Sequence, residues 1–192
     1  IDSDPQLLAD YADVLAANAN GSFVSDIPAG KTNWVKYTMT FAQPISLGID
    51  YVTTANATDL LNSTAEYIIN SPINKTITVL NPNNQLLIDT NYDGIFESNV
   101  TEYSSFEIRF RLNSTTPLAA GTGKFSFQSH LTNSITFIHK NVSETTSNKA
   151  TFTIKAKCIP RDSDSDSIPD YLDPDSDNDG ILDIIESQAN TL

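Results

Sequence analysis

From Phe23 onward, apolar and polar residues alternate with the period of two expected of a strand that buries one face. "WVKYTMTF" sets Val35, Tyr37, Met39 and Phe41 on one side, and "ISLGIDY" does the same with Ile45, Leu47, Ile49 and Tyr51. In "SFEIRFRL" the residues Phe106, Ile108, Phe110 and Leu112 point one way, and Glu107, Arg109 and Arg111 the other. "KFSFQSHL", "SITFIHK" and "TFTIKAKC" continue with Phe125 and Phe127, Ile135 and Phe137, and Phe152, Ile154, Ala156 and Cys158. "EYIIN", "TITVL" and "QLLID" are shorter runs, separated by the turn-forming stretches "IPAGK", "NPNNQ", "LAAGTG" and "NVSETTSN". Eight or nine strands at this spacing predict a mainly β fold over residues 22–160, an antiparallel two-sheet β-sandwich of immunoglobulin-like or jelly-roll-like type.

Before that body the period changes. In residues 4–18, "DPQLLADYADVLAAN", the stripe Leu7, Leu8, Tyr11, Val14 and Leu15 recurs at helical spacing. Asp4 suits the N-cap and Pro5 the first helical position. Residues 1–21 are therefore expected to form an amphipathic helix or arm.

After the body the alternation becomes acidic. The stretch "DSDSDSIPDYLDPDSDNDGILDIIE", residues 162–186, divides into two twelve-residue frames. Carboxylates fall at positions 1, 3, 5, 9 and 12 of each: Asp162, Asp164, Asp166, Asp170 and Asp173, then Asp175, Asp177, Asp179, Asp183 and Glu186. Position 7, where a backbone carbonyl coordinates, is Ile168 in one frame and Ile181 in the other; their side chains are expected to turn inward, in phase with Leu172 and Leu182. This is the ligand ladder of an EF-hand-type loop, in which calcium takes six to eight oxygens and position 6 calls for glycine. Gly180 fills that position in the second frame, whereas Ser167 occupies it in the first, which predicts a weaker first site. Of 24 acidic residues in the chain, ten belong to this ladder, and no Lys or Arg follows Arg161. Without cations such a segment would repel itself and extend. A disordered acidic spacer would explain the charge but neither the repeat nor the apolar residues in phase with it.

These tandem DxDxDGxxDxxD units resemble thrombospondin type 3 repeats over residues 161–187. The resemblance implies calcium loops packed around ions rather than around a large apolar core, in a secreted or cell-surface protein. It does not extend to residues 1–160.

A third candidate lies inside the body. "DTNYDGIFE" places Asp89, Asn91 and Asp93 at positions 1, 3 and 5, Gly94 at 6, Ile95 at 7 and Glu97 at 9. Position 12 is Val100, which cannot ligate. The same residues also read as a hairpin turn of the Asp-Gly kind, and a calcium ion would fix the hairpin it caps. Sequons for N-glycosylation stand at Asn20, Asn56, Asn62, Asn74, Asn99, Asn113 and Asn141, a mild excess over chance that fits either glycan acceptors or incidental composition.

Composition narrows the setting. A net charge of −13 argues against nucleic acid, and no apolar run is long enough for membrane insertion. Cys158 is the single cysteine and reads as a small strand residue, so no intrachain disulfide exists. The chain opens at Ile1 with neither Met nor a charged-then-apolar leader, which fits a removed signal peptide or a trimmed chain. Calcium loops with dissociation constants of about 0.1–1 mM stay filled only outside the cell.

No catalytic motif is present: His130 and His139 lie in strand patterns without partners, and the spacing of Glu66, Glu97, Glu102 and Glu107 does not single out a glycosidase pair. The expected function is non-enzymatic. The chain reads as a secreted, calcium-binding building block of a cell-surface fibre or repeat adhesin, joined head to tail to copies of itself or to neighbouring domains of a longer chain. The alternative is a calcium-dependent carbohydrate-binding module that presents aromatics to surface glycans, with Trp34, Tyr37, Tyr51, Tyr67, Tyr92 and Tyr103 available.

Overall fold

The computed structural model describes residues 22–51, 61–119, 122–157, 163–164, 170 and 173–185. It divides into two units, residues 1–157 and residues 158–192. The expected N-terminal helix, Cys158, Asn20 and Asn56 lie outside the described residues.

Among the described residues the first unit has nine strands: β1 (Ser22–Ile27), β2 (Trp34–Tyr51), β3 (Ala65–Asn70), β4 (Ile77–Leu80), β5 (Leu86–Asp89), β6 (Glu102–Ser105), β7 (Glu107–Leu112), β8 (Ser126–Asn141) and β9 (Asn148–Ala156). All pair antiparallel in one sheet of order β1-β9-β2-β8-β3-β7-β5, with β4 between β8 and β6. Two pairs of runs expected to be separate strands are each continuous. "WVKYTMTF" and "ISLGIDY" are both β2, and "SFQSHL" and "SITFIHK" are both β8.

These long strands bend where their register shifts, between Thr40 and Leu47, and Leu131 opposite takes a left-handed φ of 46°. Beyond the bend each acquires different neighbours. Trp34–Thr40 and Ser134–Lys140 pair with each other, and β8 continues there to β3. Leu47–Asp50 and Ser126–Ser129 pair with each other, flanked by β9 and β4. The sheet thus has two arms that share both long strands.

The inward faces of the arms meet in one core. Phe23 of β1 lies 5.2 Å, centroid to centroid, from Phe137 in the far half of β8. Phe110 of β7 lies 4.6 Å from Phe127, and Tyr67 of β3 lies 5.7 Å from Phe152 of β9. The alternation holds for Val35, Tyr37, Met39, Leu47, Ile49 and Tyr51 of β2, all buried. At roughly 1.5–3 kcal/mol for each fully buried large side chain, this aromatic and aliphatic interior is the main source of stability.

The alternation fails at two positions. Phe106, expected in phase with Ile108, is 51% exposed. It stands between β6, which pairs with β4, and β7, which pairs with β3 and β5. The chain changes arms there, and the inward–outward phase restarts. Ala156 is exposed because β9 runs past the core at its end. Among the described residues no helix is long and apolar enough to cross a membrane.

Candidate metal centre

Strand β5 ends on Asp89, directly opposite Arg109 of β7. The chain returns at Glu97, where an antiparallel bridge to Ile88 closes the turn with two backbone hydrogen bonds of 3.0 and 2.9 Å. Inside the turn, backbone N–H groups point at the carboxylates. Gly94 N–H donates to Asp89 Oδ2 (3.2 Å), Ile95 N–H to Asp93 Oδ1 (2.7 Å) and Thr90 N–H to Glu97 Oε2 (2.9 Å). Asp93 N–H donates to Asn91 Oδ1 (3.1 Å). Tyr92 and Gly94 take positive φ values of 63° and 84°. Carboxylate oxygens of Asp89, Asp93 and Glu97 come within 4.8 Å of one another.

The second unit repeats this pattern over residues 175–183. Gly180 N–H donates to Asp175 Oδ2 (3.0 Å), Ile181 N–H to Asp179 Oδ1 (2.8 Å) and Ser176 N–H to Asp183 Oδ1 (2.8 Å). Asn178 and Gly180 have φ values of 55° and 89°, and Asp175, Asp177 and Asp179 bring oxygens within 4.8 Å of one another. Position for position the two turns share bonds from 6 to 1, from 7 to 5 and from 2 to 9, with positive φ at 4 and 6. Of the first acidic frame, Ser163 N–H donates to Asp170 Oδ1 at 2.7 Å, again the bond from position 2 to position 9. Asp173 Oδ1 accepts the N–H of Asp175 at 3.0 Å. Asp164 is half-buried, and Asp162, Asp166, Ile168 and Glu186 lie outside the described residues.

The position-1 aspartates share a further feature. Oδ1 of Asp89 and Oδ1 of Asp175 are each shielded from solvent without a hydrogen-bond partner, while Oδ2 takes the position-6 N–H. Asp89 as a whole is fully buried. An orphaned buried acceptor costs about 1–3 kcal/mol, and more when charged. A hard cation bound there would offset that cost, and an all-oxygen donor set of this size would suit calcium better than magnesium, which demands near-ideal octahedral geometry.

The surroundings of the 89–97 turn are partly cationic. Arg109 lies 3.7 Å from Asp89 Oδ2, donates from Nε to Glu107 Oε1 (2.6 Å), and stands 5.0 Å from the Tyr92 ring centroid. Its pKa is raised: burial pulls it down, but the Glu107 hydrogen bond and the charges of Glu107 and Asp89 outweigh that. Two tyrosines strap the turn to the sheet. Tyr92 O–H donates to the Glu107 carbonyl (3.0 Å) and meets the Ser105 hydroxyl, while Tyr103 O–H donates to the Thr90 carbonyl (2.9 Å). Burial, followed by the contact with Tyr92, raises the Tyr103 pKa. Tyr92 and Tyr103 were readable in the sequence only as aromatics available to a glycan, not as straps, and Arg109 not at all; the register that sets Arg109 opposite Asp89 is a tertiary fact.

Several expected placements differ. Ile181 and Leu182 do not turn inward but are 46% and 45% exposed, and Ile95 is 67% exposed. The nine-residue turn is held by its own backbone-to-carboxylate bonds, so its apolar residues are not needed to close it. Val100, at position 12 of the 89–97 turn, is half-buried against the core and offers no side-chain oxygen. Among the sequons, Asn141 is fully buried, and its amide nitrogen donates to the carbonyls of Pro28 (2.9 Å) and Thr146 (2.7 Å). It is therefore not an accessible glycan acceptor in the folded unit. Asn74 and Asn99 are exposed, Asn62 and Asn113 half-buried.

Each histidine faces a serine hydroxyl. His139 is fully buried, its Nδ1 2.7 Å from Ser25 Oγ and its ring stacked 4.4 Å from Tyr67. Burial lowers its pKa to about 3. His130 Nδ1 lies 2.8 Å from Ser46 Oγ at the surface. Glu66 is engaged by Arg111 (2.8 Å) and Lys140 (3.7 Å). No protein-family model, curated protein or solved structure matches this chain.

Proposed function

We propose that this protein is a calcium-binding structural module of the cell exterior, a β-sheet building block that joins end to end with copies of itself or with neighbouring domains. The observation that carries the calcium reading is the repeated turn. Two segments in separate units fold with the same hydrogen bonds, the same positive φ values and the same orphaned position-1 oxygen. A cation accounts for all three features at both places. The acidic frames at residues 162–186 multiply the sites in one short segment, which suits a stiffening connector better than a signalling sensor.

End-to-end joining is supported by the sheet edge. Among the described residues β1 has a ladder only with β9, so its other side can accept an added strand. An external setting fits this reading, since loops of the weak class, with dissociation constants of about 0.1–1 mM, fill only at the calcium levels found outside the cell.

Calorimetric titration of the chelator-stripped chain with calcium tests the metal reading. Asp93→Ala is expected to remove uptake at the 89–97 turn, and Asp179→Ala uptake at the 175–183 turn, each leaving the other intact. No uptake up to several millimolar calcium, or uptake indifferent to both substitutions, overturns it. Electron microscopy with calcium and with chelator tests the joining: filaments are expected only with calcium, and single particles under both conditions refute assembly from this chain.

A further inference from the structure

The two turns differ in what lies around them, and the difference points to a ligand. In the 89–97 turn the chain offers oxygens from Asp89, Asn91, Asp93, Ile95 and Glu97, and Val100 leaves position 12 without one. Calcium takes 6–8 oxygens, so an ion held there keeps coordination positions open. Beside the turn stands Phe106, the one aromatic that the change of arms turns outward, 51% exposed. Its ring lies 6.5 Å from Tyr92, position 4 of the turn itself, at an interplanar angle of 26°. Tyr92 is partly exposed as well, with Arg109 over its ring.

Resting on the calcium reading of this turn, we propose that the ion held by Asp89, Asp93 and Glu97 is a ligand-binding site for a neutral glycan. Two adjacent sugar hydroxyls complete the coordination, and the apolar face of the sugar packs on Phe106. Charge favours hydroxyls over a carboxylate. Asp89, Asp93, Glu97 and Glu107 stand against one calcium and Arg109, which leaves one net negative charge before any ligand arrives. A second anion would add to that excess, whereas a diol donates oxygens without charge. The orphaned, fully buried Asp89 Oδ1 keeps the ion anchored on the protein side while the outer side is shared.

The experiment is retention of the full chain on immobilised mannose-, galactose- and fucose-terminated glycans and on polyglutamate, with calcium uptake measured in parallel. In millimolar calcium at least one glycan class is expected to retain the protein, and chelator or Asp93→Ala to abolish retention. Phe106→Ser, at an exposed position, is expected to weaken retention by about tenfold, the scale of one buried aromatic face, while calcium uptake at the turn is unchanged. Intact Asp93-dependent uptake with no glycan retained, with retention indifferent to Phe106→Ser, or with polyglutamate retained in place of glycans, overturns the glycan site and leaves the calcium reading standing. A parent chain that takes up no calcium sensitive to Asp93→Ala overturns both.

Discussion

The turn at 89–97 and the turn at 175–183 have nearly the same local fold and very different support. The first is closed by the Ile88–Glu97 bridge and strapped by Tyr92 and Tyr103 to a nine-stranded sheet. The second belongs to a segment in which Ile181, Leu182, Ile184 and Ile185 are all exposed and the charge is overwhelmingly negative. Nine residues suffice to write the turn, because each bond runs from a backbone N–H to a carboxylate a few positions away. Whether the turn survives without its ion depends on what it is attached to. On the calcium reading, the sheet preorganises one site, whereas the other is expected to depend on its cation for order.

The sharpest way to break this comparison is to remove calcium. A site filled at 100 times its dissociation constant contributes about 2.7 kcal/mol, and the ten carboxylates after Arg161 are followed by no Lys or Arg in the sequence. Chelator is therefore expected to make the chain beyond Lys157 sensitive to limited proteolysis while residues 22–157 stay resistant. Equal protection of both units in chelator would falsify the contrast.

The β unit has a different weakness, protons. His139 is held neutral by burial, with a pKa of about 3 against an ordinary 6.5. Unfolding restores the ordinary value, so below about pH 6.5 the unfolded chain binds a proton that the folded one refuses. Stability from this source is complete above pH 6.5 and falls as the pH drops toward about 3, by up to about 1.4 kcal/mol per pH unit. Denaturant midpoints between pH 7 and 4.5, taken in chelator, are expected to fall less steeply for His139→Gln than for the parent. Parallel slopes would refute the assignment.

Asp89→Asn sharpens the metal side by reversing sign. In chelator the substitution removes a buried charge with an orphaned oxygen and is expected to leave stability unchanged or raise it, by about 1–3 kcal/mol at most. In calcium it removes a ligand and is expected to destabilise. Thermal melts under the two conditions read the reversal, and a loss of equal size in both would mean that Asp89 serves only Gly94 and Arg109.

The smallest expected effect compares the glycines. A Cβ added to Gly94 or to Gly180 meets nothing within 4 Å, so only the left-handed backbone resists Ala. Each Gly→Ala change is expected to weaken calcium uptake at its own turn by about 1–2 kcal/mol. In calcium, protease resistance is expected to suffer only for Gly180→Ala, because the sheet holds the other turn closed.

Much of this was written in local sequence. Alternation placed Met39, Ile49, Phe127 and Phe137 in the interior, where they are fully buried, because a strand with one wet face admits no other phase. The ladder of Asp89, Asp93 and Gly94, matched with Asp175, Asp179 and Gly180, was likewise readable, since each turn is defined within nine residues. Local pattern does not contain the pairing of distant strands. The fusion of four apparent strands into β2 and β8, and the outward turn of Phe106, depend on which arm the chain joins next. Asn141 shows the same limit: its sequon is local, but its burial comes from Pro28 and Thr146.

The shared strands also govern how motion is distributed. Because β2 and β8 run through both arms, neither arm can open without breaking ladders that belong to the other. Amide exchange along β2 and β8 is then expected to report one global opening of both arms, while β1 and β5, each laddered to one neighbour, can fray on their own. A ligand held beside β5 is expected to slow exchange in β2 and β8 through their whole length, far beyond the residues near it. Continuity of two strands thus couples the arms through the middle of the sheet rather than through its margins.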